Sequence, residues 1–222
     1  RFAADQDLMN EDAFIPECEP DTGKSVAVIG GGPMGLSAAY FLRQKGHAVT
    51  VFEAMPKAGG MLRYGIPEYR LPKEVLDDEI FTIQKMGVEI ITDTKIGKDI
   101  PFETVKQDFD AVLIGIGAWI STGVGCTGED AEGVIGGIDF LRKVVRNEEI
   151  QLGEKVAIVG GGNTAMDACR TAVRLGAKEV YNIYRRTKDE MPADMVEIEE
   201  AEEEGVIFKN LTNPLEVVKD ET

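Results

Sequence analysis

A chain of 222 residues with 43% apolar residues has material for one large domain, or two modest ones, around a buried core. Acidic residues outnumber basic ones 40 to 24, for a net charge of −16; this excludes nucleic acid as a partner and leaves any bound anion to be held locally. No run approaches the ~20 apolar residues of a membrane span, no charged-then-apolar leader opens the chain, and Cys18, Cys126 and Cys169 form neither CxxC pairs nor an even disulfide framework. The composition therefore points to a cytoplasmic protein with no membrane segment and no metal site.

Residues 1–23 are acidic and irregular, punctuated by Pro16, Pro20 and Gly23, and read as a surface lead-in. The ordered pattern begins at Lys24. Val26–Ile29 is a short apolar run, followed by Gly30-Gly31-Gly32-Pro33-Met34-Gly35, then Leu36, Ala39 and Tyr40 at helical spacing until Gly46, and a second strand over Val49–Phe52 with Glu53 at its carboxyl end. This is a βαβ unit. Pro72 suits a first helical turn, Val75, Leu76, Ile80 and Ile83 recur with helical period, and Gly87 closes that helix ahead of a strand over Val88–Ile91. A further buried strand is expected over Ala111–Ile114, running into Gly115-Ile116-Gly117.

The same grammar repeats. Val156–Val159 leads into Gly160-Gly161-Gly162-Asn163-Thr164-Ala165, a helix with Ala165, Ala168, Cys169 and Ala172 on one face, a stop at Gly176, and a strand over Val180–Tyr184. The expected fold is α/β: two tandem Rossmann-like dinucleotide-binding modules, 24–128 and 129–222, with the glycine-rich stretch 123–137 as hinge. The start at Arg1 without an initiator Met, and the stop at Thr222 soon after a strand-like run, mark the expected fold as truncated at both ends, with the second module incomplete.

Gly30, Gly32 and Gly35 match GxGxxG: a tight turn, a close approach of backbone to a diphosphate, and a close approach of helix to strand. The diphosphate needs no basic side chain, because free amides and the positive end of the helix dipole suit it. Glu53 can accept from ribose hydroxyls and would repel a 2′-phosphate, so this turn favours FAD or NAD over NADP. In the second turn Gly160 and Gly162 are kept and Ala165 takes the third position. Beyond its second strand stand Arg185 and Arg186, whose fork geometry suits a monoester phosphate, and this module should favour NADPH over NADH. The competing reading pairs these arginines with the acidic run Glu197, Glu199, Glu200, Glu202, Glu203 and Glu204, which is more simply a solvated helix face.

Between the two glycine turns, Gly59-Gly60-Met61-Leu62-Arg63-Tyr64-Gly65-Ile66-Pro67-Glu68-Tyr69-Arg70-Leu71-Pro72 resembles the GGLLRYGIPxFRLP signature of the small (beta) subunit of glutamate synthase and its relatives. Those relatives include the flavin-bearing part of dihydropyrimidine dehydrogenase and the NADPH-binding subunit of electron-bifurcating transhydrogenases. Gly128-Glu129-Asp130 with Gly133-Val134, the segment Gly160 to Asp167, and Tyr184-Arg185-Arg186 through Met191-Pro192 extend the resemblance over residues 24 to about 210. It implies FAD on the first module and NADPH on the second. Gly30, Gly32, Pro33, Met34 and Gly35 would then contact the FAD diphosphate and Glu53 its ribose, with Gly60, Met61 and Arg70 near the ribityl chain and flavin ring. Ile96 would meet the adenine through its backbone, and Gly117 would belong to a second FAD contact. Gly160, Gly162, Asn163, Thr164, Ala165, Arg185 and Arg186 would hold the NADPH. Trp119 receives no role.

The implied reaction is hydride transfer between nicotinamide and flavin, with electrons passing singly to iron-sulfur clusters. Those clusters are expected only outside this chain, on an iron-sulfur domain or subunit, a large glutamate synthase subunit among the candidates. Family members carry a cysteine-rich cluster region upstream and a later Gly-Asp segment that touches the flavin; neither is present, and Arg1–Asp5 resembles the stretch just after the cluster region. No catalytic acid or base is demanded, and His47, at a helix-to-strand turn, reads as a solvated loop residue. A flavin disulfide reductase is disfavoured, since Met61-Leu62-Arg63-Tyr64 stands where such enzymes often place a cysteine pair. Two alternatives stay open: a subunit of an electron-bifurcating transhydrogenase or another NAD(P)H-dependent reductase, which would share these residues, and a nucleotide-sensing module without turnover, because these fingerprints certify binding and not catalysis.

Overall fold

The computed structural model describes residues 15–219. Among them the chain divides into two compact units: one runs up to Tyr64 and from Glu68 to Ala118, and the other comprises Gly65–Pro67 and the residues from Trp119 onward. The division falls ahead of the boundary expected after residue 128, because the glycine-rich stretch 123–137 is bonded within the second unit. Gly125 N–H donates to Glu129 Oε2 at 2.8 Å, Ser121 Oγ to Asp139 Oδ2 at 3.2 Å, and Val217 N–H to Thr127 O at 2.8 Å.

The first unit is built on β1 (Ser25–Ile29), α1 (Pro33–Gln44), β2 (Ala48–Phe52), α2 (Met61–Tyr64), α3 (Lys73–Lys85), β3 (Glu89–Ile91), α4 (Phe102–Asp108) and β4 (Ala111–Ile114). Its sheet is wholly parallel in the order β3-β2-β1-β4, with Ile29 opposite both Phe52 and Ile114. Sheets of this kind are covered on both faces, and their strands therefore read as continuous Val, Ile and Leu runs. Val26, Val28, Val49, Val51 and Val88 bury one face with Ala39 of α1, while Ala27 and Phe52 bury the other with Val105 of α4. Each valine or phenylalanine among them that is fully removed from water stabilises the unit by about 1.5–3 kcal/mol. Leu36 of α1 meets Leu76 and Ile80 of α3 through Ala58, which brings the segment after β2 onto the first helix.

The second unit carries α5 (Gly137–Val145), β5 (Lys155–Val159), α6 (Asn163–Arg174), β6 (Glu179–Ile183), a 3₁₀ turn over Lys188–Glu190, α7 (Met195–Glu203) and β7 (Ile207–Lys209). Its sheet is parallel, β5-β6-β7. α6 was expected to bury one face; it is buried nearly all round, Met166, Asp167, Ala168, Cys169, Arg170, Thr171 and Ala172 included. The reason is that α5 contributes Phe140 and Leu141 and α7 contributes Ile198 and Ala201 to the same core.

Within the described residues, the lead-in is irregular and largely exposed, and its backbone is tied to the end of α1. Glu19 N–H donates to Gln44 O at 2.8 Å and Thr22 N–H to Gly46 O at 3.1 Å. A side chain at Gly46, which has φ +80°, would meet Pro20 O at 2.1 Å. His47 is likewise held in that corner, its Nδ1 2.7 Å from Thr22 Oγ1. The motif read over Arg1–Asp5 lies outside the described residues. No helix among them is long and apolar enough to cross a membrane, and no group of three metal-ligating side chains is found among them.

Candidate functional site

In each unit the carboxyl end of the first sheet strand turns on glycines into a helix that no side chain caps. In the first, Gly30 takes φ +106°, Gly32 is the N-cap of α1 and Pro33 fills its first turn, where its missing N–H costs nothing. Leu36 N–H already bonds Gly32 O, so the amides of Met34 and Gly35 stand ahead of the first helical bond. A Cβ on Gly35 would lie 1.9 Å from Gly30 O, and one on Gly30 2.4 Å from Gly115 O. These two positions are closed to any side chain. Gly115 runs beneath the turn, with its N–H on Ile29 O at 2.8 Å, and Gly117 follows with φ +68°. Met34 is exposed beside the turn.

Glu53, 7% exposed, directs both carboxylate oxygens at backbone amides: Oε2 accepts from Gly31 N–H at 2.7 Å and Oε1 from Met55 N–H at 2.8 Å. An ionised carboxylate has about four lone-pair sites, so two remain for ribose hydroxyls. The Gly59-Gly60 pair lies directly on the same turn. Gly59 N–H donates to Gly31 O at 2.7 Å, and a Cβ on Gly60, at φ +53°, would meet Gly32 Cα at 2.6 Å. Met61 opens α2 just beyond. Arg63 is buried and pins this segment from below, through Nε to Ala58 O at 2.5 Å and an ion pair with Asp77. Arg70 is half-buried in the turn ahead of α3, which Lys73 closes with bonds from its N–H to Glu68 and from its Nζ to the Leu62 and Leu71 carbonyls. Ile96 packs beneath Phe52 and Ala27. The bonds of its own turn run through Gly97 N–H to Ile100 O and Asp99 N–H to Lys95 O, which leaves the Ile96 N–H and C=O outside them.

In the second turn Gly160 has φ +143° and Gly162 is the N-cap of α6. A Cβ on Gly162 would have nothing within 4 Å. Ala165 fits the third position because its methyl sits 3.3 Å from where a Gly160 Cβ would be, beside empty space that glycine provides. Thr164 is exposed at the helix start. The Asn163 side chain is committed within the protein: Oδ1 accepts from Asp194 N–H at 2.9 Å and Nδ2 donates to Asp194 Oδ2 at 3.1 Å, tying the turn to the N-cap of α7.

The strand registers make Tyr184, not Arg185, the second unit's counterpart of Glu53: Ile29 pairs with Phe52 in one sheet and Val159 with Ile183 in the other, and Glu53 and Tyr184 are the next residues. A Cβ on Gly31 would approach Glu53 Oε2 to 3.0 Å, and one on Gly161 would approach the Tyr184 ring to 2.5 Å. Arg185 and Arg186 follow on an exposed loop, and no described ion pair involves either. The acidic helix is engaged elsewhere. Arg170, 5% exposed, reaches Glu197 at 2.9 Å, Glu200 at 2.5 Å and Glu204 at 2.8 Å; Arg174 shares Glu204 at 2.8 Å, and Lys188 takes Glu202 at 2.6 Å. The solvated-face reading therefore holds for Glu199 and Glu203 alone, which are exposed and in none of these pairs. Glu197, Glu200 and Glu204 form a stripe at helical spacing toward Arg170 that the sequence displayed.

One functional position escaped the sequence reading. Asn182, wholly buried in β6, donates Nδ2 to Gly160 O at 2.8 Å and so orients the turn from beneath, while its Oδ1 has no partner. Gly115 stands in the run Gly115-Ile116-Gly117 that the sequence marks, and its backbone floors the first turn. The cysteines do not assemble: all three are free, and burial pushes the Cys169 thiol up to about 12.

A family model described as pyridine nucleotide-disulphide oxidoreductase matches residues 24–222. The chain belongs to this family. It is 46% identical over its whole length to the NADPH-Fe(3+) oxidoreductase subunit beta of Geobacter sulfurreducens, of which it covers 34%. It is 50% identical over 89% of its length to the NADP(+)-dependent formate dehydrogenase subunit beta of Moorella thermoacetica, covering 28% of that protein. Against the glutamate synthase [NADPH] small chain of Escherichia coli it is 39% identical over 93% of its length, covering 48%. The chain thus spans between a quarter and half of these relatives. In fold it is similar to Mycobacterium tuberculosis FprA in complex with NADPH, at TM-score 0.77 and 18% identity over 91% of this chain and 62% of that one.

Proposed function

We propose that this chain is the electron-entry segment of a flavoprotein NADPH oxidoreductase of the glutamate synthase small-chain type, with FAD on the first unit and NADPH on the second. One observation carries the reading: two bare helix starts, each at the carboxyl end of its sheet, differ in the charge that awaits the ribose. When bound, the nicotinamide and the flavin supply the hydride and electron chemistry themselves. The chain binds and orients. The Gly30–Gly35 amides hold one diphosphate, and Glu53 accepts from the ribose beside it. Gly60, Met61 and Arg70 stand toward the rest of the flavin nucleotide, Ile96 offers backbone groups to the adenine, and Gly117, just past β4, belongs to the second FAD contact.

On the second unit, Gly160 to Ala165 receive the other diphosphate, with Thr164 at the exposed helix start and Asn163 holding the turn in shape. Arg185 and Arg186, free of the acidic helix, meet the 2′-phosphate and set NADPH above NADH. The names of the relatives, two beta subunits and a small chain, support a partner that takes the electrons onward, through an iron-sulfur domain or subunit. Ferric iron, carbon dioxide chemistry or glutamate synthesis would be served by that partner and not by residues of this chain. Its free thiols and acidic surface fit a cytoplasmic enzyme.

Anaerobic titration of the full-length protein with NADPH tests the reading. Bleaching of a flavin absorbance band by NADPH, well ahead of NADH, is expected; a colourless protein that still binds nucleotide would leave a binding module without turnover. Thiol alkylation should leave that bleaching intact, since no cysteine pair takes part.

A further inference from the structure

In the first unit, the residue that ends the second strand of the turn is a carboxylate. In the second unit, its register counterpart is Tyr184, and the two do different things with the same position. The Glu53 oxygens face the turn amides. The Tyr184 ring instead lies flat enough on the turn that Gly161 can carry no side chain, and its hydroxyl reaches the other way, donating to Glu190 O at 2.9 Å. Glu190 closes the loop in between: its Oε2 accepts from Thr187 N–H at 3.1 Å and from Thr187 Oγ1 at 3.0 Å, a reciprocal cap on the 3₁₀ turn. The far side of the loop is fastened too, by Leu211 N–H on Arg186 O at 3.1 Å and Thr212 N–H on Tyr184 O at 3.0 Å. A loop of exposed arginines is therefore held at both ends and across its middle, and the Tyr184 side chain touches both the glycine turn and the loop.

We propose that Tyr184 is a positioning residue that sets coenzyme preference: it occupies the place of the ribose carboxylate without its charge, and its hydroxyl fixes the loop that aims Arg185 and Arg186 at the 2′-phosphate. This rests on the NADPH reading of the second unit. Two fixed guanidinium forks bind a monoester with less lost freedom than two on a floppy loop, so the tether acts on the phosphate and not on the rest of the nucleotide. A carboxylate in the same place would both release the loop and repel the phosphate.

The test uses the full-length protein with 2′,5′-ADP and AMP as probes, binding measured by calorimetry, beside kcat and KM for NADPH and NADH. Tyr184→Phe keeps the ring on Gly161 and should weaken 2′,5′-ADP roughly three- to tenfold while AMP, kcat and the melting temperature stay put. Tyr184→Glu should weaken 2′,5′-ADP roughly a hundredfold and leave AMP bound. Arg185→Glu with Arg186→Glu is the control that locates any failure. If it collapses the preference for 2′,5′-ADP while both Tyr184 variants leave that preference within about twofold of the parent, the role of Tyr184 is overturned and the NADPH reading stands. If the arginine variant also leaves the preference intact, the NADPH reading fails and the inference with it.

Discussion

The two glycine turns share a sequence grammar and a place at the end of a parallel sheet, yet they are enclosed to different degrees. The first is packed from three sides: by Gly115 beneath, by the Gly59-Gly60 pair above, and by Glu53 at its centre. The second has open space at Gly162, an alanine at its third position, and an aromatic ring where the carboxylate would be. The enclosed turn suits a cofactor that stays through many turnovers, and the open one suits a coenzyme that must leave. That contrast makes the same substitution mean different things in the two units.

The third position separates them most sharply. Gly35→Ala puts a methyl 1.9 Å from a backbone oxygen that cannot move without dragging β1, so we expect the first unit to lose its flavin and at least ~3 kcal/mol of stability. The reverse change in the other turn, Ala165→Gly, meets no such wall and should cost about 1 kcal/mol of helix propensity. Thermal melting and flavin absorbance of both variants check the pair. Gly162→Ala extends the contrast, since its backbone is extended, at φ −96°, and its surroundings are empty. Melting should be unchanged while NADPH binding falls about tenfold or more, because the new methyl stands where the diphosphate approaches.

Charge divides the turns next. Arg185→Glu with Arg186→Glu should weaken NADPH about a hundredfold, some 3 kcal/mol, and NADH by far less. Equal losses would show that these side chains do not read the 2′-phosphate. On the other side, Glu53→Gln turns an acceptor that serves two amides into one that can serve only one, with an amide group facing N–H of Gly31 or Met55. About 1–3 kcal/mol of stability should be lost, with weaker flavin retention; an unchanged melting temperature would mean the carboxylate is dispensable to the turn.

The strands, both glycine turns and the two main helices were legible because parallel sheets buried on both faces announce themselves as short Val and Ile runs, and three of these runs, Val26–Ile29, Ala111–Ile114 and Val156–Val159, end on glycine. α5 is masked in the sequence although Phe140, Leu141 and Val144 recur at helical spacing, because it starts on Gly137, the last residue of a glycine-rich stretch that reads as hinge. The counterpart of Glu53 was misplaced for a simpler reason. The strand expected over Val180–Tyr184 ends at Ile183, so the residue that follows it is Tyr184 and not Arg185, and only strand register shows this. Asn182 and Arg170 were invisible as functional groups because a lone polar residue in an apolar element carries no sign of what it will meet across the core.

Acid gives the smallest of the expected effects and still distinguishes the units. In the first, Asp110 joins the starts of β1 and β4: the Lys24 ammonium chiefly, with Ser25 N–H beside it, holds its carboxyl down to about 2 from 3.8. In the second, burial raises Glu204 while Arg174 and Arg170 outweigh it, for a net value below the ordinary 4.5. Both carboxyls are depressed on folding, so both contribute stability that is fully present above their unfolded values and is lost as pH falls through the folded ones. For Asp110 that window closes near pH 2, and the group is exposed, so Asp110→Asn should flatten the acid limb only slightly and the difference should fade in high salt. Glu204 instead answers to a buried guanidinium, and its protonation removes one of the carboxylates that face Arg170 beside Glu197 and Glu200. Glu204→Gln should therefore lower the melting temperature at neutral pH and remove part of its fall below pH 4.5, at any salt concentration. A variant whose melting curve parallels the parent from neutral to acid pH would place the acid sensitivity of the second unit outside this cluster.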